Sequence, residues 1–182
     1  MTSEEDLIRR ARRFEQGALA EIYDHYSPGV YRYAARLLGD TQLAEDCVSD
    51  TFLRYLYALR AGGGPRDHLQ AYLYRIAHNW ITDQYRRQPP PQLPLHDELP
   101  DGEEGLLQAV VKRIDQIQVR GALACLTPDQ RQVIVLKYLE GWENESVARA
   151  LEKPVGSIKS LQHRALEALR RMLLPHKEEM YG

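Results

Sequence analysis

Polar side chains near the start of the last predicted helix form a pattern suited to contacting DNA. A short helix over about 146–151 is followed by a tight turn at Glu152-Lys153-Pro154 and then by a longer basic helix. In a helix-turn-helix, the second helix lies in the major groove, and its first turns face base edges and phosphates. The predicted outer face of this helix carries Ser157, Lys159, Ser160, His163 and Arg164. The segment therefore indicates DNA as a partner of this chain.

The fourth predicted helix, over about 67–88, presents a second polar face. Residues that recur every three or four positions share one side of a helix. Those opposite the predicted apolar side are Arg75, His78, Asn79, Thr82, Asp83 and Arg86, with Arg87 next to them. Asn and Arg side chains reach base edges and phosphates, and aromatic neighbours such as Tyr74 and Tyr85 offer planes on which unpaired bases stack. This face is a second candidate nucleic-acid surface, while Tyr72 and Trp80 are assigned at least partly to the core.

The third predicted helix, over about 41–60, combines acidic and apolar residues. Glu45, Asp46 and Asp50 lie beside an apolar set that includes Phe52 and Leu53. The residues leave two interpretations open. One is a solvated acidic face, which is normal for a surface helix, and the other is a docking surface for another protein.

The sequence contains none of the patterns that mark common catalytic or metal sites. There is no HExxH, no Cys–His cluster and no Gly-rich loop leading into Lys-Ser/Thr, since Gly62–Gly64 precede Pro65-Arg66 instead. We therefore expect no enzymatic activity, no metal and no cofactor. Cys47 and Cys125 lie among apolar neighbours and are expected to be small buried residues, with a redox pair as the alternative.

Helical periodicity accounts for the elements that must position these surfaces. Apolar residues form 43% of the chain, enough for packed cores, and strand signals are nearly absent, which predicts an all-α fold. The predicted helices cover about 3–13, 16–38 with a kink at Ser27-Pro28-Gly29, 41–60, 67–88, 106–126, a segment from Thr127, 146–151 and a segment from Pro154.

The second half of the chain has clear local signals. Thr127-Pro128-Asp129-Gln130 predicts a capped helix start with a capping box. An apolar stripe of Val133, Leu136, Tyr138 and Leu139 follows. In the last helix the residues expected to face inward are Ile158, Leu161, Ala165, Leu166 and Leu169.

A change in composition divides the chain into two helical domains. Residues 88–105 contain five prolines, five acidic residues and no Lys or Arg, which is typical of a linker. We therefore predict domains over 1–88 and 106–182 joined by an acidic, Pro-rich connector over 89–105. The formal net charge of −2 hides a basic second domain with 12 basic and 9 acidic residues. Because no signal peptide or long apolar run is present, we expect a cytoplasmic protein without membrane insertion.

Together these segments resemble the bacterial RNA polymerase sigma factors of the extracytoplasmic-function (ECF) group in the sigma-70 family. The first domain resembles the family's region 2 in AEDCVSDTF, which fits the pattern AED-x-x-x-DTF, and in YLYRIAHN. The second resembles region 4 in LTPDQRQVIVLKYLEGW and VGSIKSLQHRALEALRR. The resemblance covers about residues 14–88 and 106–174. It implies binding to core RNA polymerase and promoter-specific initiation of transcription.

The resemblance also implies roles for the three surfaces. Glu45, Asp46, Asp50 and Phe52 correspond to the surface that docks on the largest polymerase subunit. The loop at 61–66 and the face with Arg75, His78, Asn79, Thr82 and Arg86 correspond to the part that opens and reads the minus-ten element. Lys159, Ser160, His163 and Arg164 correspond to the contacts with the minus-thirty-five element. The connector is similar to the segment that family members thread near the polymerase active centre, and an anti-sigma protein that covers both domains is implied as a further partner.

Some positions depart from the family pattern. Ser49 stands where Gln is usual, and Glu152 replaces the usual Gly of the turn, so that a non-Gly residue is expected in a left-handed conformation. Pro154 replaces a common Ser, and Leu161-Gln162 replace a frequent Arg-Leu pair. These departures bear on which promoters are chosen. Two other function classes remain open from the sequence, namely a sigma-like adaptor that sequesters a regulator and an ordinary helix-turn-helix regulator that uses only the second domain.

Overall fold

Helices form all the regular structure in the described part of the chain, as the sequence predicts. The structure is a computed structural model that describes residues 3–90 and 116–173. The first domain contains α1 (Glu4–Arg12), α2 (Gln16–Leu38), α3 (Thr41–Arg60) and α4 (Leu69–Arg87). The second contains α5 (116–125), α6 (Pro128–Ile134), a π-helical segment (Val135–Leu139), α7 (Asn144–Leu151) and α8 (Val155–Leu173).

Short-range capping determines where several of these helices begin. The Ser3 hydroxyl accepts a hydrogen bond from the Asp6 amide, and the Asp40 carboxylate accepts one from the Leu43 amide at 3.0 Å. At the start of α6, Thr127 and Gln130 form both bonds of the predicted capping box, each at 3.2 Å. The sequence therefore predicted these helix starts from local residues alone.

Helix α1 fixes the loop that leads into α4. The Arg12 guanidinium donates to the Gly63 carbonyl at 2.9 Å and to the Gly62 carbonyl at 3.2 Å. The residue before α4, His68, is left-handed and its side chain caps nothing. The Glu4 carboxylate accepts from the Leu69 amide at 2.7 Å instead, so α1 supplies the negative charge that favours this helix start.

The first domain is built around α2, whose apolar side continues across Pro28. The helix runs unbroken from Gln16 to Leu38, and Val30, Tyr33 and Leu37 beyond the proline are buried. Helices α3 and α4 pack against this side. The core therefore holds α4 by one side and leaves its other sides for contacts with different partners.

Three burial predictions in the second domain are wrong, namely those for Tyr138 and Leu139 of the apolar stripe, for Leu166 of α8 and for Cys125. Val133 and Leu136 are buried as predicted, but Tyr138 and Leu139 are exposed. They lie in the π-helical segment, where the wider turn shifts the phase of the side chains relative to an α-helix. Leu166 is exposed as well. Of the residues predicted to face inward in α8, only Ile158 and Ala165 are fully buried.

The third wrong prediction is the burial of Cys125, which is exposed near the end of α5, whereas Cys47 is buried as predicted. Burial raises the pKa of the Cys47 thiol to about 12, so the thiol stays protonated and unreactive at neutral pH. The predicted connector from residue 91 onward and the start of the predicted helix at 106 lie outside the described residues.

Candidate nucleic-acid interface

The start of α8 presents the predicted polar face to solvent. Ile158 and Ala165 are buried against the rest of the second domain, and the turn of the α-helix places the polar set on the opposite side. Lys159, Ser160, His163 and Arg164 are exposed and Ser157 is half-buried. The nearby carboxylate of Glu167 lies 3.3 Å from the His163 ring nitrogen. The arrangement places cationic and hydroxyl donors on the open side of a helix-turn-helix, which suits phosphate and base-edge contacts.

The turn between α7 and α8 adopts the strained conformation that the sequence predicts. Glu152 is left-handed, with φ 53° and ψ 46°, and its amide completes the end of α7. Gln162, one of the residues that depart from the family pattern, donates a 2.9 Å hydrogen bond to the side-chain oxygen of Asn144 at the start of α7. Gln162 therefore braces α7 against α8, and Leu161 beside it is half-buried.

The polar face of α4 is divided between solvent and the second domain. Asn79, Arg86 and Arg87 are exposed, as predicted. His78 and Thr82 are buried, with only 2% of His78 exposed, whereas the sequence places both opposite the buried side of the helix. The cause is the second domain, since α6 and α7 pack along that edge of α4.

His78 is held by hydrogen bonds at both ring nitrogens. Its Nε2 lies 2.8 Å from the Pro128 carbonyl, which can only accept, so Nε2 carries the proton. Its Nδ1 then accepts from the Tyr33 hydroxyl at 2.6 Å. Burial, together with the charge of Arg131, lowers the pKa of His78 to about 3, although the Pro128 carbonyl favours the charged form. The ring is therefore neutral at physiological pH.

Arg131 of α6 is the residue that covers Thr82. Its guanidinium donates a 2.8 Å hydrogen bond to the Thr82 hydroxyl and lies 4.6 Å from the centre of the Tyr85 ring. Only 2% of the residue is exposed, and burial lowers its pKa. In the described ranges no carboxylate forms an ion pair with this guanidinium. The sequence assigned Arg131 no role beyond α6, because a single Arg within a capped helix carries no local signal of burial.

Two further ion-pair groups join the domains. Arg75 of α4 pairs with Glu152 in the turn before α8. Glu140, whose side chain is 2% exposed, lies 3.3 Å from both Arg32 and Arg36 of α2. The Tyr74 and Trp142 rings pack with their centres 4.8 Å apart beside these pairs. The interface therefore combines ion pairs and aromatic contacts with apolar packing, since buried apolar residues of both domains belong to one core cluster.

The predicted docking face on α3 is open to solvent. Glu45 and Asp46 are exposed, and Asp50 accepts from Arg54 at 2.5 Å. Phe52 is buried, and its ring packs edge-on against Tyr23 with centres 4.9 Å apart. Phe52 thus packs beneath this exposed face.

Two apolar residues complete this α3 face. Leu53 is 48% exposed and Tyr57 is 60% exposed, and both lie on the same side of the helix as Asp46 and Asp50. The sequence pattern predicts Leu53 as part of the apolar set of this helix and indicates no role for Tyr57. Their spacing of seven and eleven residues from Asp46 is the signal that could have identified them.

Neither a membrane span nor a metal site is found in the described part of the chain. Among residues 3–90 and 116–173, no helix has the length and apolar character needed to cross a bilayer. Within the same ranges, no group of three or more His, Cys, Asp or Glu residues could hold a metal ion.

Comparison with known proteins identifies both domains. Residues 22–89 match the model of sigma-70 region 2, and residues 116–169 match the model of sigma-70 region 4. The first match contains α3 and α4, and the second contains the helix-turn-helix.

Similar proteins and structures extend over nearly the whole chain. SigL of Mycobacterium tuberculosis, an ECF RNA polymerase sigma factor, is 31% identical over 90% of this chain and 93% of its own length. BldN of Streptomyces coelicolor, of the same group, is 31% identical over 92% of this chain, which spans 65% of the length of BldN. In fold the chain is similar to CnrH, solved with the cytosolic domain of CnrY, at 22% identity and a TM-score of 0.67 over 93% of this chain and 96% of CnrH.

A second solved structure has the same fold at lower similarity. It is the sigma factor RpoE from Bartonella quintana, solved with the anti-sigma factor NepR, at 24% identity and a TM-score of 0.52 over 91% of this chain and 99% of RpoE. The two region matches and the relative matched along almost its full length decide the family. This chain belongs to the ECF RNA polymerase sigma factors of the sigma-70 family, a class of transcription initiation factors that are not enzymes.

Proposed function

We propose that this chain binds core RNA polymerase and directs it to a subset of promoters, reading a minus-ten element with its first domain and a minus-thirty-five element with its second. The observation that carries the proposal is the presence of both sigma-70 regions in one chain. Two separated contacts define the position and the direction of the polymerase on DNA, which a single domain does not.

The second domain supplies the upstream contact in this proposal. Lys159 and Arg164 are assigned to phosphates and base edges, with Ser157, Ser160 and His163 beside them. Their exposure on the outer side of α8 supports this assignment.

The first domain supplies the contacts with the minus-ten element and the polymerase. We assign the loop at 61–66 and the α4 residues Arg75, His78, Asn79, Thr82, Arg86 and Arg87 to the opened minus-ten strand. We assign Glu45, Asp46 and Asp50, supported by Phe52, to polymerase docking, and we add Leu53 and Tyr57. An exposed apolar pair ringed by carboxylates favours a protein partner over a merely solvated face.

Several finer assignments belong to the same proposal. Residues 1–88 and 106–182 act as the two functional domains, and the acidic connector over 89–105 passes near the polymerase active centre. The protein acts in the cytoplasm, where its polymerase is. An anti-sigma protein is a further proposed partner, by analogy with the RpoE structure, which contains the anti-sigma factor NepR.

Reconstituted transcription tests the function directly. Purified chain and core polymerase from the same organism are incubated with fragments of that genome, and transcript starts are mapped. We expect initiation at a limited set of sites that depends on the chain, and the matched control is a chain with Asp46→Lys and Tyr57→Ser, which should bind core less tightly. Absence of chain-dependent initiation on every template would refute the proposal.

Two binding measurements separate this function from the other classes. An ordinary helix-turn-helix regulator would bind double-stranded DNA but would not co-purify with core polymerase. A sigma-like adaptor would co-purify with a regulator and would not bind promoter DNA. Binding to both core polymerase and promoter DNA is the expected result.

A further inference from the structure

We propose that Gln162 is a positioning residue for DNA reading, because its hydrogen bond to Asn144 fixes the orientation of α8 and so determines how sharply the second domain discriminates among upstream sequences. The inference rests on the proposed reading of the minus-thirty-five element by α8. It assigns no DNA contact to Gln162, which acts through the exposed residues beside it.

The hydrogen bond joins α7 and α8 at a point far from the turn that connects them. The Gln162 Nε2 donates to the Asn144 Oδ1 at 2.9 Å. Asn144 is the first residue of α7, and Gln162 lies about two turns beyond the start of α8. Each of the two residues is therefore about 10 Å along its helix from the turn at 152–154. A bond at this distance from the turn resists rotation of α8 about the turn.

Apolar packing supplies the rest of the contact between the two helices. Helices α7 and α8 pack against each other, and each contributes a fully buried apolar residue to the core, Val147 and Ile158. Apolar contacts have no preferred direction, whereas a hydrogen bond weakens steeply when its angle departs from linear. The bond between Gln162 and Asn144 therefore adds a restraint on direction that packing does not provide.

The residues assigned to DNA lie within one turn of Gln162. His163 and Arg164 directly follow it, and Lys159 and Ser160 directly precede its turn. These four residues are exposed, whereas Gln162 is half-buried. A helix moves as a rigid rod over so short a length, and a binding site tolerates displacements of only about 0.5 Å. The restraint on Gln162 is therefore passed on to the donors that face the DNA.

A polar residue at this position is a property of this chain rather than of its family. The frequent pair at 161–162 in the family is Arg-Leu, and a Leu at position 162 cannot donate a hydrogen bond. In this chain a directional contact thus stands where relatives frequently have an apolar side chain. We therefore expect the base preference of this chain to depend on a bond that those relatives lack.

Substitutions at the two bonded positions separate the hydrogen bond from size and charge. Gln162→Leu removes the donor and keeps a side chain of similar size, and Asn144→Ala removes the acceptor. Asn144→Asp retains an acceptor oxygen for Gln162. The matched control is Gln118→Leu, which makes the same exchange at a half-buried position of α5 in the same domain. None of these variants changes a residue assigned to DNA.

The measurement is the discrimination ratio of the full chain for upstream DNA. A preferred duplex is selected by the wild type from a randomised pool, and fluorescence anisotropy gives the Kd for this duplex and for duplexes with one base pair changed. The ratio of the two Kd values should be about tenfold or more for the wild type and for Gln118→Leu. It should fall by about threefold to tenfold in Gln162→Leu and in Asn144→Ala. Asn144→Asp should bind every duplex less tightly, because its charge repels phosphates, but should keep the ratio.

The double variant Asn144→Ala/Gln162→Leu distinguishes the bond from altered packing. When one partner of a bond is already missing, loss of the other costs nothing further, so the double variant should have the same ratio as either single variant. A purely structural role would have a different signature. A smaller folded fraction weakens binding to all duplexes equally and leaves the ratio unchanged, and thermal unfolding of each variant measures that fraction.

The proposal is overturned if Gln162→Leu keeps the wild-type ratio, if Asn144→Asp loses the ratio as Asn144→Ala does, or if the losses add in the double variant. A wild type that selects no preferred duplex overturns it too. Failure of the proposed function has a different signature, because reconstituted transcription decides it separately. Selection and anisotropy are carried out without polymerase, so the effect of Gln162 on discrimination is measured whatever the transcription assay gives.

Discussion

At the scale of single residues, His78 is expected to make the contact between the two domains sensitive to pH. Tyr33 of α2 and Arg131 of α6 are the titratable groups that face it, and the Pro128 carbonyl accepts its Nε2 proton. Burial between the packed domains lowers its pKa to about 3, whereas a solvated His has a pKa of about 6.5. A chain whose domains have separated therefore binds a proton that the packed chain does not, so the contact is fully favoured above about pH 6.5 and weakens as the pH falls below it.

We predict that the radius of gyration of the wild-type chain increases between pH 7.5 and pH 5.5. At one pH unit below the pKa of the solvated ring, the equilibrium between packed and separated domains shifts by up to about tenfold. His78→Gln is the control, because the Gln amide can donate to Pro128 and accept from Tyr33 but does not titrate. An equal expansion of the His78→Gln chain over this range would show that another group is responsible.

We predict that Lys159 and Arg164 contribute to the affinity of the chain for upstream DNA. Lys159→Ala or Arg164→Ala should weaken binding to the mapped upstream element by about 1–3 kcal/mol if the residue reads a base, and less if it contacts only phosphate. Arg171→Ala is the matched control, since Arg171 is exposed on α8 but lies about 10 Å along the helix beyond Arg164. Titration of each variant with a labelled promoter duplex measures the effect, and unchanged affinity in both Lys159 and Arg164 variants would argue against this docking.

The exposed polar face of α8 could be predicted from the sequence, whereas the division of the α4 face could not. Helical spacing places Arg75, His78 and Thr82 on one side of α4, and that placement is correct. Spacing does not say what covers that side. His78 and Thr82 are buried by Pro128 and Arg131, about 50 residues away in sequence, and no local pattern encodes such a pairing.

At the scale of elements, local chemistry set the helix bounds well where caps are present. Helix α3 runs from Thr41 to Arg60, as predicted, because Asp40 caps its start. The π-helical segment from Val135 to Leu139 was not predicted. Its wider turn changes the direction in which the following side chains point, and no residue type in the segment marks that change. Exposure of Tyr138 and Leu139 follows from that phase change.

We predict that Gly39, which follows the last residue of α2, stabilises the fold through its backbone conformation. It is left-handed, with φ 66°, and an added Cβ would lie 2.6 Å from the Arg120 guanidinium. Gly39→Ala should therefore lower the free energy of unfolding by about 1–2 kcal/mol. Gly17→Ala within the same helix should instead raise it by up to about 1 kcal/mol, because a Cβ there meets only an Arg10 nitrogen at 3.8 Å.

Urea denaturation of the two glycine variants measures these free energies. Opposite changes in the free energy of unfolding are the informative result, since each substitution adds one methyl group, at the start of α2 or just after its end. Equal destabilisation by both would show that the left-handed conformation of Gly39 is not the determining factor.

At the scale of the whole molecule, the sequence predicted two helical domains but not their arrangement. Each domain is specified by its own periodicity and caps, which are short-range features. Their arrangement depends on long-range contacts that include the ion pairs of Arg32 and Arg36 with Glu140 and of Arg75 with Glu152, and each of these residues is an ordinary surface charge when considered alone. Charge complementarity between distant residues therefore leaves no local signal in the sequence.

The same charges predict how the whole molecule responds to salt. The screening length falls from about 10 Å at 0.1 M to about 3 Å at 1 M ionic strength, and the half-exposed Arg32, Arg36 and Arg75 lose most of their attraction to their partners. Sedimentation velocity should therefore show a lower sedimentation coefficient for the wild type at 1 M NaCl, after correction for solvent density and viscosity. A Glu140→Gln/Glu152→Gly chain lacks these ion pairs, so its coefficient should change less with salt. A wild-type sedimentation coefficient that stays constant across this range would mean that the domains do not depend on ion pairing to stay together. The Tyr74–Trp142 contact and the buried Arg131 would then be the contacts that hold them.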